Sequence, residues 1–308
     1  MIPKGSRSVL LSALVLMGLT TSLALGQPAA VFHAETRLVV VQLSVHNSRG
    51  EAVTNLDRRA FTVYENGKQQ PVPLFLGDDA PVSLGIVIDN SGSMRGRRAA
   101  VEAAALSFAR AANSLDELFV VNFADTPHLD VEMTTDLHAV EAGISRADSI
   151  GGTALRDAVD LAERYLCARA KRERRVLLVI TDGDDNASTI SLRKTQQQAV
   201  QNNIAIYSIG LPHADRSNAA RAGREVDELA ERTGGLAVHV SDLSSVGWTA
   251  IDLAHQIRQQ YTLGYTPMNP RLDGSYRRIR VVVKSAGRLT VHTRAGYFAT
   301  ALSPKNDS

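Results

Sequence analysis

The chain has 308 residues, 44% hydrophobic and 21% charged, a composition that suits a folded protein of one large domain or two modest ones. Lysine plus arginine (34) nearly balances aspartate plus glutamate (32), so net charge gives no ground for a nucleic-acid binder or an anionic-membrane binder. The single cysteine, Cys167, excludes an internal disulfide and favours a bacterial exterior over a disulfide-rich one.

Residues 1–26 differ from the rest. Lys4 and Arg7 precede an apolar run from Val9 to Leu25, and Ala24-Leu25-Gly26 supplies the small residues of a cleavage site. This pattern predicts a secretory signal peptide, and the alternative is a retained anchor. Both leader charges are basic, so the remaining chain is formally neutral, and no later stretch is apolar and long enough to span a bilayer. The expected location is outside the cytoplasm, either secreted or in the periplasm or cell envelope.

Residues 35–80 then alternate polar and apolar side chains in RLVVVQLSVH, FTVYENGK and QPVPLFL, a rhythm of antiparallel strands with one wet face. From 82 to 258 the pattern becomes strand, loop, helix. VSLGIVID, LFVVNFA, RVLLVIT, NIAIYSIG and GLAVHV are continuous apolar runs suited to a parallel sheet covered on both faces. Between them lie RRAAVEAAALSFARAANSL, ALRDAVDLAERYLCARAK, SLRKTQQQAVQNN and REVDELAERTGG, the last stopped by Gly234-Gly235. In the closing helix VGWTAIDLAHQIRQQ, Trp248 is expected to pack with Ile251 and Leu253. Residues 259–300 return to alternation. The predicted fold is α/β, a doubly wound, mostly parallel sheet with helices on both faces. A small β-sandwich-like domain formed by the two flanks accompanies it, since neither flank alone has enough strands to bury a face.

Chemistry concentrates at the carboxyl ends of the strands, where doubly wound sheets bind ligands. IVIDNSGSMRG carries Asp89, Ser91 and Ser93 at alternate positions, with Gly92 letting the backbone turn between them. Gly151-Gly152-Thr153 opens a second loop, and Thr181-Asp182-Gly183-Asp184 a third. Asp89, Ser91, Ser93, Thr153 and Asp182 together offer two carboxylates and three hydroxyls. This all-oxygen set suits a hard dication such as Mg²⁺, with Mn²⁺ or Ca²⁺ also possible, rather than Zn²⁺ or Cu²⁺. Ser93 and Thr153 would alternatively serve only as helix caps. Asp184 and Asp185 read as solvated loop acids, and Arg95, Arg97 and Arg98 as a solvated basic start to a helix. Cys167 reads as a partly packed thiol.

The D-x-S-x-S, Gly-Gly-Thr and Thr-Asp-Gly elements, in this order, resemble the metal-ion-dependent adhesion site of von Willebrand factor type A domains, and all five positions match. The flanks, with LGYTP, DGSYRRIRVVV and VHTRAGYFA, resemble bacterial extracytoplasmic proteins called VWFA-related. The resemblance implies hydroxyl ligands from Ser91, Ser93 and Thr153, and aspartates acting directly or through water. It also implies one coordination place left for a partner protein's Asp or Glu carboxylate. Adhesion or assembly is then the expected function, without enzymatic activity. Two alternatives remain: a metal-dependent hydrolase of phosphate esters, and a metal that only ties three loops together. G-x-S-x-G, H-E-x-x-H, G-x-G-x-x-G and P-loop patterns do not occur, which removes the usual nucleophilic, zinc and nucleotide readings.

Overall fold

The computed structural model describes residues 38–77, 79–145, 150–183, 185–212, 216–285 and 287–300, side chains of 216–222 excepted. The leader at 1–26 and Asp184 lie outside the described residues. The N-terminal flank forms β1 (Val39–His46), β2 (Phe61–Glu65), β3 (Lys68–Gln70) and β4 (Leu74–Leu76). Asn66 and Gly67, both at positive φ, make the tight turn of the β2–β3 hairpin.

The α/β part follows as β5 (Val82–Asp89), α1 (Arg98–Ala111), β6 (Glu117–Phe123), β7 (Pro127–Thr134), α2 (Leu137–Ile144), α3 (Leu155–Arg169), β8 (Arg174–Thr181), α4 (Leu192–Gln201), β9 (Ile204–Gly210), α5 (Arg216–Thr233), β10 (Ala237–His239) and α6 (Val246–Arg258). The C-terminal flank adds β11 (Tyr261–Tyr265), β12 (Tyr276–Val283), β13 (Thr290–Thr293) and β14 (Gly296–Phe298).

The central sheet has the order β10-β9-β8-β5-β6-β7, parallel except where β7 runs against β6. Strand alternation sorts its apolar side chains onto two faces. Leu84, Ile86, Ile88, Val176, Leu178 and Ile180 point toward α1, α2 and α6. Val87, Phe119, Val121, Leu177 and Val179 point toward α3, α4 and α5. Each large apolar side chain so buried contributes about 1.5–3 kcal/mol. Gly85 in the middle of β5 is there for packing, because a Cβ would run into the Phe119 ring and Leu177.

Two elements are not announced by the sequence pattern. β7 is an edge strand, half exposed and rich in polar residues (PHLDVEMT), so it shows no continuous apolar run, and α2 has only eight residues. Conversely, α6 is a core helix through Val246, Ala250, Leu253, Ala254 and Ile257, but Trp248 does not pack. Its side chain is 77% exposed, on the opposite side of the helix from that buried stripe.

The flanks interleave. One sheet runs β13-β1-β11-β4 and the other β14-β12-β2-β3, so each mixes strands from both ends of the chain. Val41, Leu43, Val63, Tyr261, Leu263 and Ile279 fill the space between them. Within that core the Glu65 carboxylate accepts hydrogen bonds from Tyr265 (2.9 Å) and Tyr297 (2.8 Å) and faces the buried Arg277.

The register of the central sheet positions the site. From β5 the chain passes through α1 to β6 on one side, and later returns through α3 to β8 on the other. The carboxyl end of β5 is therefore the point where the winding reverses, the place at which open α/β sheets form a binding crevice. Ile88 pairs with Ile180, which sets Asp89 beside Thr181 and Asp182 just beyond it.

Candidate metal centre

The first loop is held from below by its own side chains. Asp89, fully buried, accepts hydrogen bonds at Oδ1 from the Ser91 amide (2.9 Å) and at Oδ2 from the Thr181 hydroxyl (2.6 Å). Ser91 Oγ and Ser93 Oγ lie 3.0 Å apart. Met94, completely buried in the core under α1, pins the end of this turn. Asn90 joins three neighbours: its amide donates to the Phe123 carbonyl, its carbonyl accepts from Ile150, and its side-chain amide donates to Asn122. Arg98 is not a solvated cation, because it donates to the Asn90 side chain and to the Ile144 carbonyl (2.6 Å).

The second and third loops are laced to the first. The Gly92 amide donates to the Gly151 carbonyl at 2.9 Å. Gly151 sits at φ +96°, and a Cβ there, like one on Gly152, would meet the carboxylate of Asp125. That carboxylate accepts from the Gly152 amide at 2.6 Å. Thr153, buried, donates its amide to Asn186 Oδ1 (2.9 Å), while its carbonyl accepts from the Asn186 and Ala187 amides. Gly183 closes the third loop by donating to Thr181 Oγ1 (2.9 Å). Asp89, Ser91, Ser93, Thr153 and Asp182 thus converge on one end of the sheet through a backbone lattice that joins all three loops.

Residues 84–184, which contain all five, match the von Willebrand factor type A domain. The chain carries a von Willebrand factor type A domain. Among solved structures, the von Willebrand factor type A protein from Catenulispora acidiphila is 14% identical, with a TM-score of 0.52 over 87% of this chain and 75% of that one. The conserved hypothetical protein BatB from Bacteroides thetaiotaomicron (18% identity, TM-score 0.46) aligns with 57% of this chain and 98% of its own. The vWF domain of the type V pilus tip protein Mfa5 from Porphyromonas gingivalis (13%, TM-score 0.47) aligns with 58% of this chain and 95% of its own. At 14% identity the likeness to the Catenulispora protein is one of fold. No curated protein matches the chain.

The electrostatics of this loop end are set by its two aspartates. Burial pushes the Asp89 carboxyl up to about 6; hydrogen bonds from Ser91 and Thr181 oppose the rise and the like charge of Asp182 adds to it. The Asp182 side chain is fully buried, yet neither of its oxygens has a hydrogen-bond partner. A buried carboxylate that accepts no hydrogen bond, with only the Arg97 guanidinium 3.8 Å away, is poorly compensated by the protein alone. Among the described residues no group of three or more His, Cys, Asp or Glu is placed to hold a metal. Any cation here must therefore draw on hydroxyls as well as the two carboxylates. Ser91, Ser93 and Thr153 are such donors, and the set fits an oxygen-liganded dication.

Several supporting residues carry no motif of their own. Asp125 and Asn186 fix the glycine loop from either side, and only their neighbourhood to the three loops in sequence hints at them. Asp185 is not a solvated loop acid. Its buried carboxylate accepts from the Arg156 amide (2.9 Å), Arg156 Nη2 (2.9 Å) and Ser188 Oγ (2.6 Å), clamping the third loop to the start of α3. Cys167 is exposed on the outer side of α3 rather than partly packed, and desolvation raises its thiol pKa.

Proposed function

We propose that this is an exported binding protein whose type A domain captures a carboxylate of a partner protein through a divalent cation, Mg²⁺ foremost. The observation that carries the reading is the Asp182 carboxylate, buried without a hydrogen-bond partner beside Asp89. Asp89, Ser91, Ser93, Thr153 and Asp182 would hold the ion. When bound, it supplies an electrophilic centre that accepts an anionic oxygen. The chain's own part is orientation: Thr181 and the Ser91 amide fix Asp89, Asn186 fixes Thr153, and the Gly92–Gly151 bond keeps the hydroxyl loops in register. Three neutral hydroxyls against two carboxylates leave a loaded site with no surplus negative charge to repel an incoming Asp or Glu.

The test uses the chain after Gly26 as bait for a cell-envelope extract. The expected result is a retained partner in Mg²⁺, released by EDTA and absent with Asp89→Ala, whose circular dichroism matches the wild type. Retention that ignores both EDTA and Asp89→Ala would sink the proposal. Export is checked by fractionation and by an amino terminus that begins after Gly26.

A further inference from the structure

Three arginines follow the first loop, and they have different fates. Arg98 is bound to the Asn90 side chain and the Ile144 carbonyl, so it is structural. Arg97 turns back toward the site instead. Its Nη1 donates to the Ser93 carbonyl at 2.9 Å and lies 3.8 Å from Asp182 Oδ2. The Arg97 side chain is 15% exposed and that of Asp182 is fully buried.

That distance separates two roles. At 3.8 Å the guanidinium is near enough for its charge to act on Asp182 and too far to donate a hydrogen bond to it. The lone pairs of Asp182 stay available, and neither oxygen accepts a hydrogen bond. The hydrogen bond to Ser93 meanwhile fixes the guanidinium to the same turn that carries the two serine hydroxyls. A cation held against a buried candidate ligand repels a dication more strongly than the same charges would in bulk water.

We infer that Arg97 is the charge-setting residue of this site, weakening cation binding while strengthening the hold of the loaded site on an anion. The inference rests on the cation reading above. Without a metal, Arg97 offsets one of the two carboxylates and limits their mutual repulsion. With a dication in place, Asp89, Asp182 and Arg97 leave one net positive charge, where the two carboxylates alone would leave none. The surplus favours carboxylate partners over neutral oxygen ligands such as water, hydroxyl or amide.

The experiment titrates Mn²⁺ into the purified chain by calorimetry for wild type, Arg97→Gln and Arg97→Lys, with circular dichroism as the control for folding. Gln retains a donor for the Ser93 carbonyl and removes the charge; Lys retains the charge and alters the shape. The expected result is Mn²⁺ bound about tenfold more tightly by Arg97→Gln and within about threefold of wild type by Arg97→Lys. Acetate then serves as the carboxylate probe, read by loss of water-proton relaxation from bound Mn²⁺. Arg97→Gln should need several-fold more acetate than wild type. Wild type that binds Mn²⁺ while Arg97→Gln binds it no more tightly, or an unchanged acetate response, overturns this inference alone. Wild type that binds no Mn²⁺ overturns the cation reading with it.

Discussion

Thr181 Oγ1 donates a 2.6 Å hydrogen bond to Asp89 Oδ2 across the β5–β8 pair and accepts one from the Gly183 amide. One hydroxyl on the central strand pair therefore orients one candidate ligand and shapes the loop that carries the other. Thr181→Val keeps the shape and removes both bonds. It should cost about 1–3 kcal/mol in urea unfolding, since two buried polar groups lose a partner. Mn²⁺ affinity should fall in the same variant, and Thr181→Ser should recover most of both.

Gly151 is the position where the backbone itself is demanding. Its φ of +96° disfavours any side chain, and a Cβ would overlap the Asp125 carboxylate that accepts the Gly152 amide. Gly151→Ala is expected to destabilise the fold by about 1–3 kcal/mol and to weaken Mn²⁺ binding by shifting Thr153. Asp125→Ala in the Gly151→Ala background should cost less than the two single losses added together, because it removes the clash. Denaturation of all three variants measures the coupling.

Glu163 stands on the buried face of α3 with neither carboxyl oxygen hydrogen-bonded. Burial pushes its pKa up to about 9, with Asp160 adding to the rise, from 4.5 for the free group. The folded state therefore binds this proton more tightly than the unfolded chain does. The resulting stability is fully present below about pH 4.5 and is lost as pH rises toward 9. Glu163→Gln should be more stable than wild type by about 3 kcal/mol at pH 7, with little gain at pH 4. Thermal melts across that range are the check; parallel curves for the two proteins would refute it.

Glu65 holds the sandwich together through Tyr265, Tyr297 and Arg277. Beside it the Tyr297 hydroxyl is pushed up to about 12, chiefly by burial. Glu65→Ala leaves Arg277 buried without its carboxylate and should cost about 3–5 kcal/mol. Tyr297→Phe removes one hydrogen bond and should cost about 1 kcal/mol. Equilibrium unfolding of the two variants distinguishes these magnitudes.

What could be read in advance followed physical signal strength. β5, β6, β8 and β9 are buried on both faces, so their apolar runs are unbroken, and the three loops at their ends carry residues dense enough to read as one oxygen-donor set. The β7 strand escaped because an edge strand mixes polar and apolar residues like a loop. Trp248 misled because helical spacing tells which residues share a side and not which side faces the core. Asp185 and Arg97 look solvated in the sequence because a charged residue in a loop usually is; their partners Arg156 and Asp182 lie far away along the chain. Contacts of that kind exist only after the loops have met.

The interleaving of the flanks also imposes an order of events on biogenesis. Val39 finds its partner Tyr265 more than 200 residues later, so β1 emerges from the ribosome long before the strand that completes it. Until then Val41, Leu43 and Val45 have nothing to pack against, and both edges of β1 are open to pairing with a foreign strand. The α/β part, whose neighbours lie closer along the chain, is positioned to finish first and bring its two ends together. The sandwich cannot close before β11 has been made, because β1 pairs with it across the whole α/β part.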